Sequence, residues 1–141
     1  TESFYDSMDG MERAREKEKM EQLIRRNIEY DVLFLRNPSC DREIDEIVSL
    51  MTEVATSRRS TIHLDKQDIP QPMVKERLLS LQCEHIEYVL ERMQSSTAKI
   101  HNIRAYLLTA LYHAPETIHH YYAAQMREQN DRADLDELLS F

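Results

Sequence analysis

Glycine is almost missing from this sequence, with Gly10 the single one in 141 residues. A loop that brings backbone close to a nucleotide phosphate needs several glycines at fixed spacing, so the composition argues against nucleotide hydrolysis. A nucleophile elbow and an HExxH pair are also lacking. The two cysteines, Cys40 and Cys83, make neither a CxxC pair nor a disulfide framework, which fits a reducing cytoplasm. No run approaches the roughly 20 apolar residues that span a bilayer, and no charged start followed by an apolar stretch marks a secretory signal. Basic charge is scarce as well: 18 Lys and Arg stand against 26 Asp and Glu, for a net charge of -8. Without a basic stripe to displace phosphate counterions, duplex DNA is a disfavoured partner.

What remains is material for helices. Hydrophobic residues are 41% and charged residues 31%, and 141 residues suit one domain with a modest core. The expected fold class is all-α, a compact multi-helix bundle with one small β-hairpin near residues 61–69. Three segments are expected: a charged helical linker over 1–27, the helical domain over 28–127 and an acidic tail over 128–141. The chain opens on Thr1 and not Met, so it is expected to be a segment of a longer protein.

From Met8 to about Glu29 the pattern predicts a helix. Glu12 to Lys19 is charged at almost every position, which leaves a solvated rod, and Met20, Leu23, Ile24 and Ile28 then make one apolar face. Tyr30 to Arg36 fits either a strand or a helix; Ile28, Val32 and Leu35 favour the helix. Asn37-Pro38-Ser39 breaks the chain, and Asp41 opens a helix whose buried stripe is Ile44, Ile47, Val48, Met51, Val54 and Ala55. Thr61-Ile62-His63-Leu64 and the residues up to Ile69 predict the hairpin. Pro72 then starts a short helix carrying Val74, Leu78 and Leu79.

A helix over about Cys83 to Gln94 places Ile86, Val89, Leu90 and Met93 inward and stops near Ser95-Ser96. Another begins near Asn102 with Ile103, Tyr106, Leu107, Ala110 and Leu111. Ala114-Pro115 predicts a break, after which Pro115 starts a last core helix with Ile118, Tyr121, Tyr122, Gln125 and Met126. The tail after Asn130 is acidic with a Leu135, Leu138 and Leu139 face, and is expected to dock on its own domain, to stay disordered or to serve as a peptide for a groove elsewhere.

The residues that invite chemistry mostly have plain structural readings. His113, His119 and His120 flank Pro115, but adjacent helical residues point about 100° apart, so His119 and His120 do not share an ion, and no metal or cofactor is expected. The paired carboxylates Asp45 with Glu46 and Glu84 with Glu87 read as solvated surface. Cys40 lies near a helix start with no base beside it. The tyrosines say more. Tyr106 and one of Tyr121 or Tyr122 are expected in the core, leaving others, with Lys99, Arg104, His113 and His119 nearby, to pack on a partner or stack on single-stranded bases.

The run Asn102-Ile103-Arg104-Ala105-Tyr106-Leu107-Leu108-Thr109-Ala110-Leu111-Tyr112-His113-Ala114-Pro115-Glu116-Thr117, continuing through His119-His120-Tyr121-Tyr122, resembles the C-terminal region of plasmid-type replication initiator protein A from mobile elements of Gram-positive bacteria. Ile28-Glu29-Tyr30-Asp31 and His85-Ile86-Glu87-Tyr88-Val89-Leu90 are similar too, so the resemblance spans about residues 27–125. That region in turn resembles the helical domain of the primosomal protein DnaD, whose signature is Tyr, Ile four residues on and Trp four further. Here those positions are Tyr106, Ala110 and Ala114. Only the tyrosine matches, and the missing aromatic counts against the single-stranded DNA contact associated with it.

The resemblance implies a DnaD-like, non-catalytic recruitment domain without cofactor, which engages host replication proteins such as primase while a separate region reads origin DNA. The alternative, drawn from the tyrosines and the basic residues near them, is a single-stranded nucleic-acid binding module with weak contact to single-stranded DNA. Partner contact is expected at Arg104, Tyr106, Tyr112, His119 and Tyr122.

Overall fold

The computed structural model describes residues 2–95 and 102–139, the first six of these by their backbone alone. Among them are six α-helices and one antiparallel hairpin: α1 Glu2–Asn27, α2 Tyr30–Arg36, α3 Asp41–Ala55, β1 Thr61–Leu64, β2 Gln67–Pro70, α4 Gln71–Leu79, α5 Cys83–Ser95 and α6 Ile103–Leu139. The fold is all-α with one small hairpin, as the sequence predicts. Ser96, expected to end α5, and Lys99, expected near the base-stacking tyrosines, lie outside the described residues, as does the tail's Phe141.

Helix α3 is the centre. Every member of its predicted stripe is buried, and Leu50 and Thr52 join them. The Thr52 hydroxyl donates to the Val48 carbonyl at 2.8 Å, so the one polar side chain in that layer is satisfied within its own helix. Helices α1, α4 and α6 pack on α3, and α5 packs on α6. From Met8 to Lys19, α1 is exposed, as its unbroken charge predicts, and docking begins with half-buried Met20 and fully buried Ile24. Asn27 ties the end of α1 to the end of α4 by donating to the Leu79 carbonyl at 3.1 Å.

Tyr30–Arg36 is a helix, but not with the expected face. Leu33 is fully buried, whereas Val32 is 41% and Leu35 81% exposed. Glu29 causes this: it sits in the left-handed region at φ 54 and ψ 60, so α2 does not continue the screw of α1. Periodicity counted from Ile28 therefore does not carry across it.

The hairpin pairs Ile62 with Ile69 and Leu64 with Gln67, and turns at Asp65-Lys66, both at positive φ (52 and 61). Two left-handed residues make a type I′ turn, whose twist matches the strands. Ile62 and Leu64 alternate onto the buried face, which seats the hairpin on the helices. Pro72 lies in the first turn of α4, where its missing N–H costs nothing. At the start of α6 the Asn102 side chain accepts from the Ala105 N–H at 3.1 Å, a helix cap.

The expected break at Ala114-Pro115 does not occur: α6 runs from Ile103 through Pro115 to Leu139 without interruption. A proline inside a helix removes one hydrogen bond and crowds the carbonyl four residues back. The carbonyl left without a donor is that of Leu111, and Arg77, from α4, braces the turn at the next one along. Its guanidinium donates to the Tyr112 carbonyl at 3.1 Å and to Glu116 at 2.8 Å, and lies 4.5 Å over the Tyr112 ring. The Thr117 hydroxyl donates to the His113 carbonyl at 3.1 Å on the same stretch. These contacts bridge the proline from both sides, and Ala114 and Ile118 stay buried on one continuous face.

Candidate functional site

Helix α6 carries all five residues expected to meet a partner, and it does not bring them together. Arg104 and Tyr122 are five turns apart on one side of the helix, about 27 Å along its axis. Tyr106 points elsewhere and is half-buried against the core, as expected for a packing tyrosine.

Each of the others has its own surroundings. Arg104 is exposed and paired with Glu53 at the end of α3. Tyr112 is half-buried, packed on the core, with Arg77 over its ring and the His113 imidazole edge-on at 5.2 Å. His113 itself meets Asp65 of the hairpin turn at 3.3 Å. His119 and His120 are both exposed. Tyr122 is 44% exposed and lines an open groove of about 620 Å³ between the end of α1, α2, α5 and α6.

That groove holds what the sequence reading did not assemble. Its walls carry Arg26 and Arg36 against Glu29, Glu84, Glu87 and Glu91, four carboxylates to two guanidiniums. Three tyrosines gather at its edge: Tyr88 meets Tyr121 edge-on at 5.2 Å, and Tyr121 meets Tyr122 at 5.8 Å. Tyr121 is the half-buried member and Tyr122 the outer one, in line with the expectation that one of the two packs inward. The Tyr121 hydroxyl donates to Glu91 at 2.7 Å and accepts from Gln125 at 3.0 Å. The bond to Glu91 holds its proton, so its pKa lies above the ordinary tyrosine value.

Glu87 departs from the solvated surface expected for it. It receives Arg36 at 3.2 Å, the Asn37 amide at 3.4 Å and the Cys83 thiol at 3.5 Å. Burial, with the Glu87 charge beside it, pushes the Cys83 thiol up to about 11, so it remains protonated and a poor nucleophile. Cys40 is buried at 3% exposure and in contact with the Gln94 amide, which accords with the structural reading of that thiol. Among the described residues no three His, Cys, Asp or Glu side chains are grouped to hold a metal ion. The groove's excess of carboxylate repels phosphate and attracts basic side chains. The Tyr88 signal was present in the His85 to Leu90 segment, but Arg26, Arg36 and Arg77 carry no local sign of their positions.

Fold and groove together define a small helical bundle with an acidic, aromatic-edged groove. The chain belongs to the family of unknown function DUF6017, whose model matches residues 7–133. No curated protein and no solved structure matches it. Among the described residues no helix is long and apolar enough to cross a membrane.

Proposed function

We propose that this chain is a non-catalytic domain of a replication initiator from a plasmid or mobile element, which recruits a host replication protein such as primase in the cytoplasm. The observation that carries the binding role is the groove beside Tyr122: an exposed aromatic next to an excess of carboxylates suits a partner that inserts a basic side chain. The resemblance of residues 102–122 to initiator C-terminal regions supports the replication setting. The protonated Cys83 thiol and the mutual pairing of Arg36 with Glu87 favour a binding surface over a reactive one.

The test is capture of purified primase and helicase-loading proteins by the immobilised chain. Tyr122→Ala and Glu84→Lys are expected to weaken capture at least about tenfold, the effect of losing one well-placed contact. Both positions are exposed, so folding is preserved. Undiminished capture by folded variants would remove the groove from the proposal.

A second reading, single-stranded nucleic-acid binding, draws on the three tyrosines and on Arg92, whose guanidinium lies 6.0 Å from the Tyr121 ring. Fluorescence anisotropy with labelled oligonucleotides separates the two, because phosphate contacts weaken steeply with salt. The acidic groove predicts no binding at micromolar protein.

A further inference from the structure

Beyond Ile118, helix α6 leaves the core. From Tyr122 to Leu139 every side chain is exposed except half-buried Gln125, a stretch of roughly 27 Å. A helix of this length is marginal in water unless something covers one of its faces. Leu135, Leu138 and Leu139, at 55%, 68% and 72% exposure, share one side. Asp134 and Asp136 flank that stripe about 100° to either side, and Asp131 precedes it by one turn.

A complementary surface lies at the other end of the molecule. Between α1 and the end of α3 is an open groove of about 480 Å³. Met20, Leu23 and Ala55 form its apolar floor, and three cations, Lys19, Arg58 and Lys75, stand on its rim against one carboxylate, Glu16. Lys19 and Lys75 have no ion-pair partner among the described residues, and Arg58 has only Asp9 at 3.7 Å. A leucine stripe flanked by aspartates matches an apolar floor flanked by cations.

The chain's own tail does not reach this groove. Helix α6 begins beside the groove's end of α3, where Arg104 pairs with Glu53, and runs the other way. Its last turn is therefore about 50 Å along a continuous helix from that end. We propose that the occupant is a second copy of this chain, whose α6 terminus seats between Lys19 and Lys75. Reciprocal docking around a two-fold axis fills both grooves and leaves neither tail bare. The Tyr122 groove takes no part in this contact.

Sedimentation equilibrium of the full chain tests the proposal. The expected result is a dimer whose dissociation constant rises at least tenfold between 50 mM and 500 mM salt. A groove-reversed variant (Lys19→Glu with Lys75→Glu) and a tail-reversed variant (Asp134→Lys with Asp136→Lys) are each expected to be monomeric. An equimolar mixture of the two regains the dimer, because each basic tail then meets an acidic groove and each acidic tail a basic one. Circular dichroism confirms folding, and Leu138→Gln supplies an uncharged variant with the same expected loss. A wild-type monomer at 100 µM, or a dimer indifferent to both reversals, overturns the proposal.

Discussion

His85 shows how much one side chain can set. At the third position of α5 its Nδ1 accepts the Gln82 backbone N–H at 2.9 Å, in the place where a capping box ordinarily has Glu or Gln. Only a neutral ring accepts there, and burial holds the imidazole pKa below its ordinary 6.5, with the nearby His119 acting in the same direction. The unfolded chain therefore takes up the proton first, so stability is complete above about pH 6.5 and falls as the pH drops toward the lowered value. The melting temperature is expected to decline between pH 7.5 and 5.5, and His85→Gln, which caps without titrating, is expected to flatten that dependence. Nothing local in the sequence signalled this role, because burial of the ring depends on where α5 and α6 meet. Cys83 is a similar case: its spacing excluded a CxxC pair, but its protonated state follows from Glu87 and from packing.

At the scale of the element, the contrast lies between helices that periodicity defines and joints that it does not. The stripe of α3, the start of α6 at Asn102 and the small hairpin were all legible, since each depends on residues within a few positions. The break at Pro115 was expected on the same local grounds and does not occur, and the contacts that brace the helix beside the proline come from Arg77 in a different helix. Arg77→Met is expected to cost about 1–2 kcal/mol, the range for a lost hydrogen bond to a partly buried carbonyl. Hydrogen exchange should locate the loss at residues 116–122. Glu116 reports the same contact: the hydrogen bond and charge of Arg77 hold its carboxyl below the ordinary glutamate value. Its share of stability is present above that ordinary value and is lost as the pH falls through the lowered one. In Arg77→Met the Glu116 titration, followed by NMR, should move back up.

Across the whole molecule, the first helix belongs to two regimes. Its charged half is exposed, whereas Ile24, within the expected 1–27 extension, is at 0% exposure in the core beside α3. Ile24→Ala is expected to lower global stability by about 2–5 kcal/mol in chemical denaturation, the range for emptying a packed aliphatic site. Leu23→Ala, at 37% exposure one position earlier, should cost far less. The candidate site divides in the same way. Tyr122 and His119 were expected at the surface and are there, and Tyr106 packs as a core tyrosine. Of these only Tyr122 lines the groove, and its companions there, Arg26, Arg36, Glu87 and Tyr88, come from three other helices.

Sequence alone indicated most of the helices, the place of the hairpin and the lack of a glycine-rich phosphate loop motif, because these follow from apolar spacing and backbone preference over a few residues. Tertiary structure alone decided that α6 passes its proline, which face α2 buries and that four carboxylates converge beside Tyr122. Those outcomes rest on contacts between residues tens of positions apart, and on one left-handed residue at Glu29, so no local period encodes them.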